Sequence, residues 1–197
     1  MKSLVLASFA LLLSACSTQY APMIVNPVIK YSGQTWQQSQ PVSLQVQDMR
    51  PAQYLAKIDG SSEKVTLVPA SNSITAVVEE KIRTAYQQHG IELNSEAAIK
   101  TTIELHSALV DVTKPGHFDY KMDTHVKIRV KVEKTDTTFS KMFRGKRSTM
   151  TNIKPDTAAL EQELNALLAR VLKDLADDKE VQQFIAVTET TDTAVQE

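Results

Sequence analysis

Residues 121–134 read KMDTHVKIRVKVEK, and this stretch decides the fold. Four β-branched residues alternate in it with four charged residues. The apolar set is Val126, Ile128, Val130 and Val132, and the charged set is Lys127, Arg129, Lys131 and Glu133. Because side chains alternate between the two faces of a strand, this pattern predicts a strand that is buried on one face only.

Further strands are predicted on both sides of this one. Residues 98–112 alternate at period two and end at the turn Lys114-Pro115-Gly116, and residues 139–150 form a third strand that Gly145 weakens. Upstream, residues 42–47 alternate until Pro51 stops the strand. Residues 64–68 form a short strand, which we expect to pair with residues 42–47 as a hairpin around Asp59-Gly60.

Two amphipathic helices separate and follow these strands. Residues 74–86 place apolar side chains three and four positions apart, with a cap at Ser71, Asn72 or Ser73 and a stop at Gly90. Asp156 caps a second helix with a leucine-rich stripe, and a short helix restarts at Asp177-Asp178. We therefore predict a single α+β domain over residues 42–187. Its antiparallel sheet carries two main amphipathic helices on one face, in the order strands, helix, three strands, helix.

The first sixteen residues predict export and lipidation. Lys2 precedes a ten-residue apolar run, which has the length of a signal-peptide core and is too short to span a bilayer. Leu13-Ser14-Ala15-Cys16 then resembles the lipobox of bacterial lipoproteins. Residues 1–15 are the predicted signal peptide, and Cys16 is the predicted site of S-diacylglycerol and N-acyl attachment. Ser17 stands where an inner-membrane retention signal would carry aspartate, so the resemblance implies the periplasmic face of the outer membrane.

The remaining terminal segments predict little regular structure. Residues 16–41 form the lipidated N-terminus and a tether, with an edge strand at 23–29 as an alternative for its middle part. Residues 188–197 are rich in threonine and acidic residues and predict a disordered tail. Cys16 is the sole cysteine, so no disulfide can form within the chain.

The sequence contains no motif for catalysis, metal or cofactor binding. None of His89, His106, His117 and His125 has a second ligand at zinc-motif spacing. The five glycines form no phosphate loop, and no Gly-x-Ser-x-Gly elbow occurs. We therefore expect a protein that is not an enzyme and needs no cofactor.

Charge is unevenly distributed along the chain. The formal net charge is −1, which does not suit a nucleic-acid binder. Residues 114–154, however, hold 11 Lys and Arg against 4 Asp and Glu, whereas residues 156–197 hold 3 against 10. The basic segment is either solvated, or complementary to the last helix, or a surface for an anionic partner. The candidate residues for such a surface are Lys127, Arg129, Lys131, Arg144, Lys146 and Arg147.

Several short runs of sequence resemble one known family. They are Val25-Asn26-Pro27, Asp48-Met49-Arg50-Pro51, Leu55-Ala56-Lys57 and the closing run from Asp178 to Ile185. In this order and spacing, the mature chain from Cys16 to about Ala186 resembles the YajG family of bacterial lipoproteins. The resemblance implies a location and a fold, and it implies no biochemical role.

These observations favour a non-catalytic outer-membrane lipoprotein that binds a protein partner in the envelope, with the membrane contacted through acyl chains on Cys16. The alternative is a module that binds a small molecule, a glycolipid or a glycan, and an enzyme of unknown class comes third. A flat charged face beside an exposed strand edge would favour the protein partner. A deep apolar pocket would favour the lipid, and a buried His/acid pair in a cleft the enzyme.

Overall fold

The computed structural model describes residues 20–31, 40–59 and 64–186. The signal peptide, Cys16 and the predicted acidic tail at 188–197 lie outside the described residues. The elements are β1 (Val42–Asp48), β2 (Tyr54–Asp59), β3 (Val65–Pro69), α1 (Ile74–Gln88), β4 (Ile99–Thr113), β5 (Tyr120–Glu133), β6 (Thr138–Thr151), α2 (Thr157–Ala176) and α3 (Lys179–Ala186). The predicted α+β class and the order of elements are confirmed.

All six strands belong to one mixed sheet. Its order is β3-β2-β4-β5-β6, and β1 pairs with the same edge of β4 as β2 does. Both β1 and β2 run parallel to β4, so only part of the sheet is antiparallel as expected. The predicted hairpin also differs, because β3 pairs with β2 rather than with β1. The sequence pattern did not reveal β2, which is only six residues long.

The core lies between one face of this sheet and the helices. Val126, Ile128, Val130 and Val132 are at most 1% exposed, and α2 packs against β4, β5 and β6. Each such buried side chain contributes about 1.5–3 kcal/mol to the free energy of folding. The charged residues between them therefore face away from the helices, as the alternation in residues 121–134 predicts.

The helix ends follow their sequence signals. The Ser73 hydroxyl accepts a hydrogen bond from the Ala76 N–H at 3.2 Å, and the Asp156 carboxylate accepts one from the Ala159 N–H at 2.8 Å. Gly90, with φ of 83°, follows α1 in the left-handed region, where glycine costs least.

Residues 20–31 are part of the domain, so the predicted tether over 16–41 is wrong for these residues; residues 16–19 and 32–39 of the tether lie outside the described residues. Met23 and Val25 are at most 1% exposed. The Asn72 side chain bonds both the N–H and the C=O of Val25, and the Asn165 side chain bonds the Asn26 N–H and the Ile24 C=O. The edge strand considered at 23–29 is reduced to a single bridge, between Met23 and Ala70. Two asparagine side chains thus take the place of a neighbouring strand.

Candidate functional site

The face of the sheet that points away from the helices carries a compact block of basic side chains. Lys127 on β5 lies opposite Arg144 on β6, and His125 lies opposite Lys146. Directly opposed residues have Cβ atoms about 4.5–5.5 Å apart, and residues two apart on a strand lie about 7 Å apart. We call these four residues the basic block. In the described part of the chain, Lys127, Arg144 and Lys146 form no ion pair.

Four other cations on this face are neutralised by neighbouring acids. Each is paired across or along the strands: Arg129 with Glu104 at 3.2 Å, Lys131 with Glu133 at 2.7 Å, Lys121 with Asp123 at 2.8 Å and Lys57 with Asp111 at 3.8 Å. Hydrogen bonds from Lys121 and Ser148 hold the pKa of Asp123 below its usual value. On β5 and β6, the basic block is therefore the part of this face where positive charge is left uncompensated.

The structure brings together only part of the predicted set. Arg129 and Lys131 share the face of the basic block but are paired. Arg147 lies on the opposite face, because it is an odd number of residues from Arg144 on the same strand. Its Nε is 3.2 Å from Glu163 Oε2 on α2. His125 belongs to the block but was not predicted, although strand alternation through Lys127 could have indicated it.

The sheet and the last helices do complement each other on the helix side. Lys141 Nζ donates to Asp178 Oδ2 at 2.7 Å and to Glu180 Oε2 at 2.9 Å, and these bonds raise the pKa of Lys141. These ion pairs and the pair between Arg147 and Glu163 join the basic segment, residues 114–154, to the acidic segment, residues 156–197. They therefore explain part of the uneven charge distribution along the chain. The basic block is not accounted for in this way.

A second feature lies in the gap between β1 and β2 along the edge of β4. Arg50 fills it with a side chain that is only 5% exposed. Its Nε donates to Asp48 Oδ1 at 2.9 Å and its Nη2 donates to Asp48 Oδ2 at 2.8 Å, which lowers the pKa of Asp48. Nη1 of Arg50 is buried and has no hydrogen-bond partner. Sequence reasoning noticed the run Asp48-Met49-Arg50-Pro51 but had no signal for this unmatched donor.

Arg50 lines two cavities. The smaller, of about 120 Å³, lies against a β-bulge between Leu105 and Ser107 on β4. The larger, of about 400 Å³, opens at the N-terminus of α1, where Ser73, Ile74 and Thr75 form part of its wall. The first turn of α1 contains no acidic residue. A helix N-terminus of this kind carries partial positive charge and favours an anion.

Two of the histidines contact acidic side chains in the described residues. His89 is fully buried, with Nε2 at 3.5 Å from Asp177 Oδ1, so it links the C-terminal ends of α1 and α2. This His/acid pair lines neither of the two cavities. His106 Nε2 lies 2.9 Å from Glu104 Oε2. Across residues 20–31, 40–59 and 64–186, no three His, Cys, Asp or Glu side chains are grouped to hold a metal ion.

Comparison with solved structures finds one of similar fold. A Xanthomonas campestris protein of the DUF330 family superposes with a TM-score of 0.59 at 13% identity, over 82% of this chain and 97% of that one. A minor lipoprotein from Acinetobacter baumannii gives a TM-score of 0.42 at 11% identity, over 75% of this chain and 90% of that one. Functionally curated proteins give no match. The described helices include none that is long and apolar enough to cross a membrane.

The family itself follows from the sequence match. A family model described as "Uncharacterized lipoprotein" matches residues 27–186. The chain therefore belongs to this family of uncharacterised lipoproteins, which is of the YajG type that its sequence motifs indicate.

Proposed function

We propose that this lipoprotein is a non-catalytic binding protein, held at the periplasmic face of the outer membrane by acyl chains on Cys16, and that it binds an acidic segment of an envelope protein. The observation that carries this proposal is the basic block. Its lysine and arginine side chains, Lys127, Arg144 and Lys146, have no acidic partner in the described structure. They lie on a sheet face that no described helix covers.

The strand beside the block supports a protein partner over a small molecule. β6 is an edge strand of 14 residues, and no described strand pairs with its outer edge. An exposed edge offers main-chain donors and acceptors to an added strand. Arg144 and Lys146 lie about 7 Å apart on one face of β6. An added strand with carboxylates at every second residue would match that spacing.

The experiment compares two triple variants of the mature protein in cells. The first replaces Lys127, Arg144 and Lys146 with Gln. The matched control replaces Lys57, Lys121 and Lys131 with Gln, which removes the same charge from the same face but at cations already paired with acids. A photo-crosslinking residue at Ser148, exposed on β6, reports what binds in each variant.

We expect the native protein and the control variant to capture the same envelope protein, and the block variant to lose it. Binding should also weaken as salt rises, since exposed charges are screened within about 8–10 Å at physiological ionic strength. Stability should change by less than about 1 kcal/mol in either variant, because the replaced side chains lie at the surface. Equal capture by both variants would refute a role for the block, and capture of a glycolipid or glycan would favour the alternative class.

The cavity beside Arg50 favours one second function, which is binding of a small carboxylate-bearing molecule. The carboxylate of Asp48 already neutralises the charge of Arg50. The partial positive charge at the N-terminus of α1 therefore gives the cavity a modest positive excess, which suits a single negative charge. The Nη1 donors of Arg50 and the N–H groups of Ile74 and Thr75 lack acceptors in the described structure. The volume of about 400 Å³ lies at the small end of known ligand sites.

An NMR titration tests this second function. Acetate and N-acetylalanine should shift the Ile74 and Thr75 amide resonances saturably, whereas N-acetylalanine amide, which lacks the carboxylate, should not. Arg50→Lys should weaken the binding by about tenfold, because lysine cannot reproduce the donor geometry of the guanidinium. Lys127→Gln is the control and should leave the titration unchanged. Absence of a saturable shift in the native protein would exclude this site.

A further inference from the structure

One end of the sheet concentrates exposed apolar side chains. Among the described residues, eight large hydrophobic side chains are exposed, and five of them lie at or near this end. They are Val65, Leu67, Phe118, Met150 and Ile153. Phe118 and Ile153 are the most prominent of the five, at 80% and 78% exposed. Exposed apolar side chains gathered at one end of a domain are typical of an interaction surface.

The strand register places these residues at one end of the sheet, with Val65 and Leu67 on one edge strand and Met150 on the other. Tyr120, where β5 begins, lies opposite Thr151, where β6 ends. Phe118 in the β4–β5 connection and Ile153 just after β6 therefore project from neighbouring loops. In the next row, Met150 lies opposite Lys121, which lies opposite Thr113. That row continues through Asp59 to Val65 on β3.

Positive and negative charges are balanced at this end of the sheet, so apolar rather than charged side chains would make its contacts with a partner surface. Four cations and four acids lie there, namely Lys64, Lys114, Lys121, Lys154, Asp59, Asp119, Asp123 and Asp156. Lys114 extends over the Tyr120 ring at 5.7 Å, and Lys154 extends over the Tyr20 ring at 5.4 Å. Lysine stems beside aromatic rings are suited to a boundary between water and hydrocarbon.

The chain approaches its lipid-bearing residue at the same end. The Tyr20 hydroxyl donates to the Pro155 carbonyl at 3.0 Å, two residues after Ile153. Cys16 precedes Tyr20 by four residues, which span at most about 14 Å when fully extended. Acyl chains on Cys16 would therefore hold this end of the sheet, rather than the opposite end, within reach of the bilayer.

We propose that the domain stands end-on against the membrane, with Phe118 and Ile153 inserted into the headgroup region of a phospholipid bilayer. This inference rests on the lipidation of Cys16 that is part of the proposed function. It deepens that function by fixing the orientation of the basic block. His125 and Lys127 are five and seven residues along β5 from Tyr120, so the block stands roughly 17–23 Å from the membrane end of the strand.

Depth-dependent quenching of tryptophan fluorescence tests the orientation. The mature lipidated protein, with its single tryptophan replaced (Trp36→Phe), receives one tryptophan in turn as Phe118→Trp, Ile153→Trp or Thr137→Trp. Thr137 lies in the β5–β6 turn, at the opposite end of a strand about 43 Å long, and is the matched exposed control. Each variant is reconstituted into vesicles of phosphatidylethanolamine and phosphatidylglycerol that contain brominated phospholipid.

We expect loss of fluorescence at positions 118 and 153 and unchanged fluorescence at position 137, with little dependence on the phosphatidylglycerol fraction. Equal quenching at all three positions, or none at 118 and 153, in protein that floats with the vesicles would overturn the end-on docking while leaving the anchor intact. Failure to float, with no acyl mass on Cys16, would instead overturn the lipidation on which the inference rests.

Discussion

Replacing Gly145 with alanine should destabilise the domain because α2 packs directly against this position. A Cβ atom at Gly145 would lie 2.6 Å from Val171 Cγ2 and 2.9 Å from Leu167 Cδ1. Real Cβ atoms almost never approach carbon so closely. Val171 and Leu167 are only 2% and 4% exposed, so neither side chain can swing into solvent. The added methyl group must push α2 away from β6 or force both side chains out of their rotamers.

Two opposing effects set the magnitude. Overpacking a well-packed core by a methyl group costs about 1–3 kcal/mol. Alanine is favoured over glycine inside a strand by about 0.5–1 kcal/mol, since glycine loses more backbone entropy on folding. We therefore expect Gly145→Ala to lower the free energy of unfolding by about 1–2 kcal/mol, with a lower urea midpoint and an unchanged m-value.

The control is Gly116→Ala. There the new Cβ would lie 2.9 Å from Asp119 Oδ2, which is the end of an exposed, flexible side chain that can move away. Its effect should stay within about 0.5 kcal/mol. Adding Val171→Ala to Gly145→Ala removes the closest contact, so the double variant should lose less stability than the sum of the two single variants. The packing argument is wrong if Gly145→Ala has the same urea midpoint as the native protein. It is also wrong if the loss of stability in the double variant equals the sum of the losses in the two single variants.

Three further outcomes are expected. Cys16→Ser should leave the unprocessed precursor in cells, and an unmodified residue-16 terminus in the native mature protein, seen by mass spectrometry, would refute lipidation. Replacing both Asn72 and Asn165 with Ala should free residues 20–31 for proteolysis while the remainder stays protected; unchanged cleavage would show that apolar burial alone holds the segment. Burial raises the pKa of Tyr31 to about 12, so the unfolded chain loses this proton first and stability should fall between about pH 10 and 12. Tyr31→Phe should reduce that fall in urea titrations, and an identical pH profile would exclude the contribution of Tyr31.

Local periodicity was sufficient to predict the elements that bury one face. β5 alternates over its whole length, and the stripe of α2 repeats every three or four residues, so neither depends on distant partners for its recognition. The alternation with buried Val126, Ile128 and Val130 also predicted the sheet face on which Lys127 lies. The basic block was predictable to that extent.

Features that depend on partners distant in the sequence could not be predicted. The pairing of β1 and β2 with one edge of β4 joins segments more than 50 residues apart. Residues 20–31 have no periodicity, because their backbone is satisfied by asparagine side chains from α2 and from the start of α1. Gly145 was interpreted as a weak point in a strand, whereas its lack of a side chain is what allows α2 to approach. Only the packed structure distinguishes these two interpretations.

The attachment of residues 20–31 to α2 also sets the order in which an exported chain can complete its fold. Tyr20, Ile24 and Asn26 bond to groups 135, 137 and 139 residues further along the chain. During the proposed export the N-terminal segment would emerge first, and its partners would emerge late. In a chain exported as its first sixteen residues predict, the leading segment would therefore wait for α2 before it could close the domain. Contacts of such long sequence separation slow folding, which keeps a chain unfolded and competent for translocation until nearly all of it has crossed.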